Sequence, residues 1–115
     1  MAANDSGLKL GTTLYSMTPA FHGREYTFEQ LVRKVAAEGI GPGLEVVGFQ
    51  SIKGFPTITD EYADWFKGLI AETGLTLSCL GINADLRIDP DKPMSDDESV
   101  EYHARQLEAA AKLGF

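Results

Sequence analysis

The sequence predicts an α/β fold, a parallel β-sheet with flanking helices built from three strand–helix units. Apolar strand-like runs alternate with segments whose apolar residues recur at helical spacing. Each helix-like segment ends in glycine, and two of them open on a capping box. Strand-to-helix connections are long and helix-to-strand turns are short. That asymmetry belongs to sheets with right-handed crossovers, whose working loops follow the C-terminal ends of the strands.

The first strand is expected over residues 8–15, LKLGTTLY, followed by a polar loop over residues 16–26 with Pro19, His22 and Gly23. Thr27 and Gln30 then have capping-box spacing. Phe28, Leu31, Val32, Val35 and Ala36 form one apolar stripe that ends at Gly39 and Gly41. The second strand is expected over residues 43–49, GLEVVGF, with a loop over residues 50–58. A second helix starts at Thr59 or Asp60, its acidic first turn suited to the helix dipole. Tyr62, Trp65, Phe66, Leu69 and Ile70 share a face, and Gly74 stops it. This face reads as core covering the sheet, Trp65 and Phe66 included.

Residues 75–82 form a nearly continuous apolar run, as strands covered on both faces do. Cys79, the single cysteine, lies in it and is expected to be a buried, inert thiol. A longer loop spans residues 83–94, and Ser95 with Glu98 makes the second capping box. Val100, His103, Ala104, Leu107, Ala110, Ala111 and Leu113 are expected on the packed face of the third helix, and Gly114 marks its end. The acidic run Asp96, Asp97 and Glu98 sits at a helix start and needs no metal to explain it. The sequence stops where a fourth strand is expected.

Composition bounds the partners. Ten Lys and Arg against 17 Asp and Glu give a formal net charge of −7. That balance disfavours nucleic acid and an anionic membrane surface. Residues 1–7 are small and polar, read as a flexible N-terminus without the features of a signal peptide. No apolar run approaches a membrane span. A cytoplasmic location is expected, and a lone cysteine suits a reducing compartment. No glycine-rich phosphate fingerprint is present.

Several segments together resemble a known superfamily. These are Leu8-Lys9-Leu10-Gly11, residues 27–39 (TFEQLVRKVAAEG), Gly43-Leu44-Glu45-Val46-Val47, Gly74-Leu75-Thr76-Leu77, and residues 95–115. Their order and spacing resemble the start of the xylose-isomerase-like TIM barrels, a superfamily of sugar isomerases, sugar-phosphate epimerases, inosose dehydratases and apurinic endonucleases. The resemblance implies that residues 8–115 are the first three βα units of a (β/α)8 barrel, truncated before the fourth strand. It further implies a divalent metal (Mn, Mg, Co or Zn) in a complete member, held chiefly by later strands, so no ligand is assigned here. The expected function is part of a metal-dependent sugar or polyol isomerase or epimerase. A lyase of the same fold is the alternative, an inosose-type dehydratase or a C-glycoside-cleaving subunit. A second alternative is a non-catalytic fragment that completes its sheet with another chain, in a homo- or hetero-oligomer. The chain alone is expected to be inactive and to bind no metal, and the expected ligand is a small sugar or glycoside.

No residue is assigned a catalytic role. Five residues are candidates for substrate contact: Tyr15, His22, Glu45, Asn83 and Arg87. Glu45 lies between Leu44 and Val46, so if these face the helices it faces the barrel interior, where a carboxylate is hydrogen-bonded or functional. Asn83 and Arg87 follow the third strand, where substrate-contacting groups belong. Turn chemistry explains Asp85 and Asp89 as well, and Arg87 is a ready partner for either. Tyr15 can stack on a sugar or an aromatic aglycone, or pack in the core. Phe21 and Phe49 lie in the loops beside it and suit a bulkier aromatic substrate. His22 reads as a general acid or base or as a solvated loop residue, and mid-helix His103 as a satisfied structural one.

Overall fold

The computed structural model describes residues 7–87 and 89–115. The N-terminus expected to be flexible therefore lies, apart from Gly7, outside the described residues. The strands are β1 (Gly11–Thr13), β2 (Gly43–Val47) and β3 (Thr76–Gly81). The helices are α1 (Thr18–His22), α2 (Phe28–Glu38), α3 (Gly48–Ser51), α4 (Asp60–Thr73) and α5 (Asp96–Leu113). The strands form one parallel sheet in the order β1-β2-β3. This α/β sheet with flanking helices, sequential and parallel, is the arrangement expected from the alternation of elements.

The long helices begin and end where side-chain chemistry dictates. Thr27 Oγ1 accepts from Gln30 N at 3.2 Å while Gln30 Oε1 accepts from Thr27 N at 2.8 Å. Ser95 and Glu98 repeat that exchange at the start of α5, at 3.2 and 2.8 Å. Thr59 Oγ1 caps α4 by accepting from Tyr62 N at 3.2 Å. Gly39, Gly74 and Gly114 close the three helices with φ of 64, 70 and 96°, a left-handed geometry that costs other residues more.

The helices share one core with one face of the sheet. Leu44 and Val46 of β2 meet Leu31, Val32 and Val35 of α2, Ala63, Phe66 and Leu69 of α4, and Ala109 and Leu113 of α5. Phe66 is fully buried, with Phe28 and Phe115 each at a centroid distance of 6.0 Å. Between β1 and β2 the backbones approach closely. A Cβ on Gly11 would lie 2.9 Å from the Gly43 carbonyl oxygen, so this crossing requires glycine. Arg33 of α2 binds Glu29 and Glu72 on the surface, and both carboxylates hold its guanidinium charged. Lys112 of α5 donates to the Ile58 carbonyl at 2.8 Å and pairs with Asp60 at 2.6 Å, holding the Asp60 carboxyl below its usual range.

Four expectations are corrected. The first strand is shorter than residues 8–15, and the following loop is not irregular. Thr13 Oγ1 accepts from Tyr15 N, and the chain turns into a 3-10 segment, Leu14–Met17, and then α1. Such local side-chain bonding competes with the ladder. Similarly, the second strand gives way at Gly48 to the short helix α3.

Cys79 is exposed, not buried. Between Leu44 and Glu45 the ladder to β3 slips by one residue, so Leu77 pairs with Leu44 but Cys79 pairs with Glu45. This bulge leaves Ser78 and Cys79 off the packed face, while Leu77 and Leu80 remain against the core.

Trp65 is 40% exposed and stands at the rim, against Tyr62 at 5.2 Å and Phe28 at 6.3 Å, while only its neighbour Phe66 enters the core. In α5 the packed residues are Gln106, Ala109 and Leu113, and Val100 and Leu107 face outward at 69 and 63% exposure. The helix carries two apolar stripes, and α4 covers the other one.

Among the described residues no helix is long and apolar enough to cross a membrane.

Candidate functional site

Parallel pairing brings the C-terminal ends of the strands to one end of the sheet. Thr13, Glu45 and Cys79 lie in one row across it. Leu44 and Val46 are fully buried in the core, while Glu45 between them is half-buried and points to the opposite face, as strand alternation requires. Its Oε1 accepts from Thr13 Oγ1 at 3.0 Å. The Thr13 hydroxyl accepts in turn from Tyr15 N at 3.2 Å.

Tyr15 is held from both sides of its backbone. Its carbonyl accepts from Thr18 Oγ1 at 2.5 Å, and Thr18 Oγ1 accepts from Gln50 Nε2 at 2.6 Å. A continuous hydrogen-bonded chain therefore runs from Gln50 through Thr18, Tyr15 and Thr13 to Glu45. It leaves the Tyr15 ring 63% exposed at the end of the sheet.

The remaining candidates occupy separate surroundings. His22 is exposed at the end of α1, its ring 6.0 Å from that of Phe21, and lines an open hollow with Arg24 and Tyr26. Asn83 is exposed just beyond β3. Arg87 is exposed, and its backbone N–H donates to Asp85 Oδ1 at 3.0 Å. Asp89 Oδ1 likewise accepts from Asp91 N at 3.0 Å. Both aspartates thus do turn chemistry. Asp85 engages the Arg87 backbone, and no ion pair of the Arg87 guanidinium is seen among the described residues. His103 Nδ1 lies 2.7 Å from the Ser99 carbonyl, a structural contact within α5.

Sequence reasoning missed Thr13 and Gln50. Thr13 matters because of its register with Glu45, and Gln50 because α3 turns it back toward α1. Neither fact is visible in a single segment of sequence. Beside Gln50 is a cavity of about 460 Å³ with Phe21, Phe49, Lys53, Tyr62 and Trp65 in its wall. Burial pushes the Tyr62 phenol up, with a hydrogen bond from the Lys53 backbone working the other way.

The fold resemblance implies a divalent metal. Among the described residues no three His, Cys, Asp or Glu side chains gather to hold one. Glu45 is the carboxylate of the strand-end row, and its recorded partner is a threonine hydroxyl. These residues do not fit a metal centre by themselves, and no chemical step is derived through one.

No family model matches the chain. Its sequence is similar to curated bacterial proteins. It is 57% identical over 105 residues to the C-glycoside deglycosidase alpha subunit of Microbacterium trichothecenolyticum, covering 91% of this chain and 28% of that protein. It is 50% identical over 107 residues to the 3'-dehydrocarminate deglycosidase alpha subunit of a Microbacterium species, covering 93% of this chain and 31% of that protein. It is 52% identical over 106 residues to a C-glycoside deglycosidase alpha subunit of Arthrobacter globiformis, covering 91% and 29%. The chain thus spans about three-tenths of the length of the curated relatives it matches.

Proposed function

We propose that this chain is part of the alpha subunit of an enzyme that cleaves C-glycosides, and that its contribution to the active site is the strand-end group centred on Glu45. The carrying observation is the 57% identity over 91% of the chain to a C-glycoside deglycosidase alpha subunit. This favours the lyase alternative over the isomerase or epimerase first expected. The rest of the site, including any metal ligands, belongs to the part of the relatives' length that this chain does not match. On this reading the sheet is the opening portion of a xylose-isomerase-like barrel. The word "subunit" in the relatives' names supports assembly with a second chain.

The chemistry explains why such a site needs a positioned carboxylate. A carbon–carbon bond between sugar and aglycone offers no oxygen to protonate as a leaving group. It breaks when a base removes the proton beside a carbonyl on the oxidised sugar. The electron pair then forms a carbon–carbon double bond in the sugar, the glycosidic bond breaks, and the departing aglycone carbon takes up a proton. Thr13 donates to one carboxylate oxygen of Glu45 and leaves the other for a sugar hydroxyl or for this proton.

The test is Glu45→Gln in the full-length protein with its partner subunit. The amide preserves volume and removes the charge. Turnover of an oxidised C-glycoside should fall about 100-fold or more, as for loss of an acid–base group, while the thermal midpoint moves little. A collapse in stability with normal kinetics of the remaining folded protein would make Glu45 structural.

A further inference from the structure

Resting on that reading, we propose that the cavity beside Gln50 binds the aglycone, and that it selects a planar aromatic ring carrying hydroxyl groups. Hydrogen-bond accounting carries this step. The Thr18 hydroxyl has one proton, and the Tyr15 carbonyl takes it. Towards Gln50 the hydroxyl can therefore only accept, which fixes the amide with Nε2 on Thr18 and Oε1 turned away. Gln50 Oε1 is buried and has no partner among the described residues. A buried acceptor left unmade is costly, so the site calls for a donor from outside the fold.

The wall states what kind of molecule brings that donor. Phe21, Phe49, Tyr62 and Trp65 offer flat apolar surface, and Phe49 and Trp65 are 54 and 40% exposed. Such faces stack on aromatic rings. Lys53 adds a cation that suits an ionised phenol or a ring carboxylate. A volume of about 460 Å³ lies within the range of small-molecule sites.

The position agrees. Phe21 follows β1, Phe49, Gln50 and Lys53 follow β2, and Tyr62 and Trp65 open α4. All stand at the end of the sheet that presents Glu45. The chain of hydrogen bonds from Gln50 to Glu45 fixes the aglycone cavity relative to the group assigned to the sugar.

Trp65 is the chain's only tryptophan and lies in the cavity wall, so it reports on occupancy. The full-length protein is titrated with a dihydroxyflavone and with its dimethyl ether. Quenching is read as the difference from Trp65→Phe, which removes any tryptophan elsewhere. The phenol should quench saturably and bind about tenfold tighter than the ether, the worth of one hydrogen bond. Gln50→Leu should weaken the phenol about tenfold and leave the ether unchanged. Phe49→Ala should weaken both.

Equal binding of phenol and ether by the unaltered protein overturns the proposal without recourse to any variant. Failure of both to bind, with Phe49→Ala splitting the assembly on size exclusion, also overturns it and gives the surface to a partner subunit. Turnover is measured separately on an oxidised C-glycoside. Unchanged KM in Gln50→Leu sinks this inference and spares the proposed function. Absence of turnover with phenol selectivity intact sinks the proposed function and spares the cavity.

Discussion

The second and third strand–helix units follow the same pattern of capped helix, glycine stop and apolar strand, yet they pack differently. Leu44 and Val46 of β2 are fully buried, and the four predicted core residues Phe28, Leu31, Val32 and Val35 of α2 are all buried. In the third unit, Cys79 is exposed, Val100 and Leu107 face outward, and Gln106 is buried in their place. The difference is one of neighbours. β2 has a strand on each side, whereas β3 is the edge of the described sheet. Apolar pattern states which residues can be buried, and the number of neighbours decides which of them are.

The largest effect that bears on this contrast is at Phe66. Phe66→Ala should destabilise the protein by about 3–5 kcal/mol, and Leu107→Ala by no more than about 0.5 kcal/mol, both read by chemical denaturation. A comparable cost at Leu107 would show that the outer stripe of α5 is covered in the assembled protein.

Gln106 sharpens the same point with a sign. Both amide atoms are buried without a partner among the described residues. Gln106→Leu should therefore raise stability, by about 1–3 kcal/mol if the full desolvation cost of an unpaired amide is relieved. A loss of stability would reveal a hydrogen-bonding partner supplied by another part of the assembly.

The smallest effect separates the two capping boxes. Thr27 is paired with an amide, Gln30, whereas Ser95 is paired with a carboxylate, Glu98. The Ser95 hydrogen bonds hold the Glu98 carboxyl below its ordinary value of 4.5. A depressed folded value means that the contribution is complete above the unfolded value and is lost as pH falls through the folded one. Acidification below about 4.5 should thus speed amide hydrogen exchange in the first turn of α5 and leave that of α2 unchanged. Thr27→Ala should cost about 1 kcal/mol at any pH. Equal sensitivity of the two turns to acid would break the comparison.

Much of the framework was legible because it rests on local chemistry. Capping pairs at Thr27 and Ser95 and the glycines at 39, 74 and 114 set the helix ends within a few residues of one another in sequence. The direction of Glu45 followed from Leu44 and Val46. What was not legible depends on contacts distant along the chain. The ladder slip decides the exposure of Cys79, register pairs Thr13 with Glu45, and the fold of α1 against α3 joins Thr18 to Gln50. The two stripes of α5 were both helical in period, and periodicity alone could not say which one α4 covers.

The slip beside Ser78 also bears on how this sheet tolerates changes in chain length. Core-facing leucines in β3 are three residues apart, at Leu77 and Leu80, opposite Leu44 and Val46, which are two apart. Ser78 is the surplus residue. Removing it would restore an even ladder and leave both leucines on the helix side, so an alignment gap can fall there without turning the strand over. A one-residue deletion between Leu44 and Val46 has no such surplus to absorb it, and would place every following side chain of β2 on the wrong face.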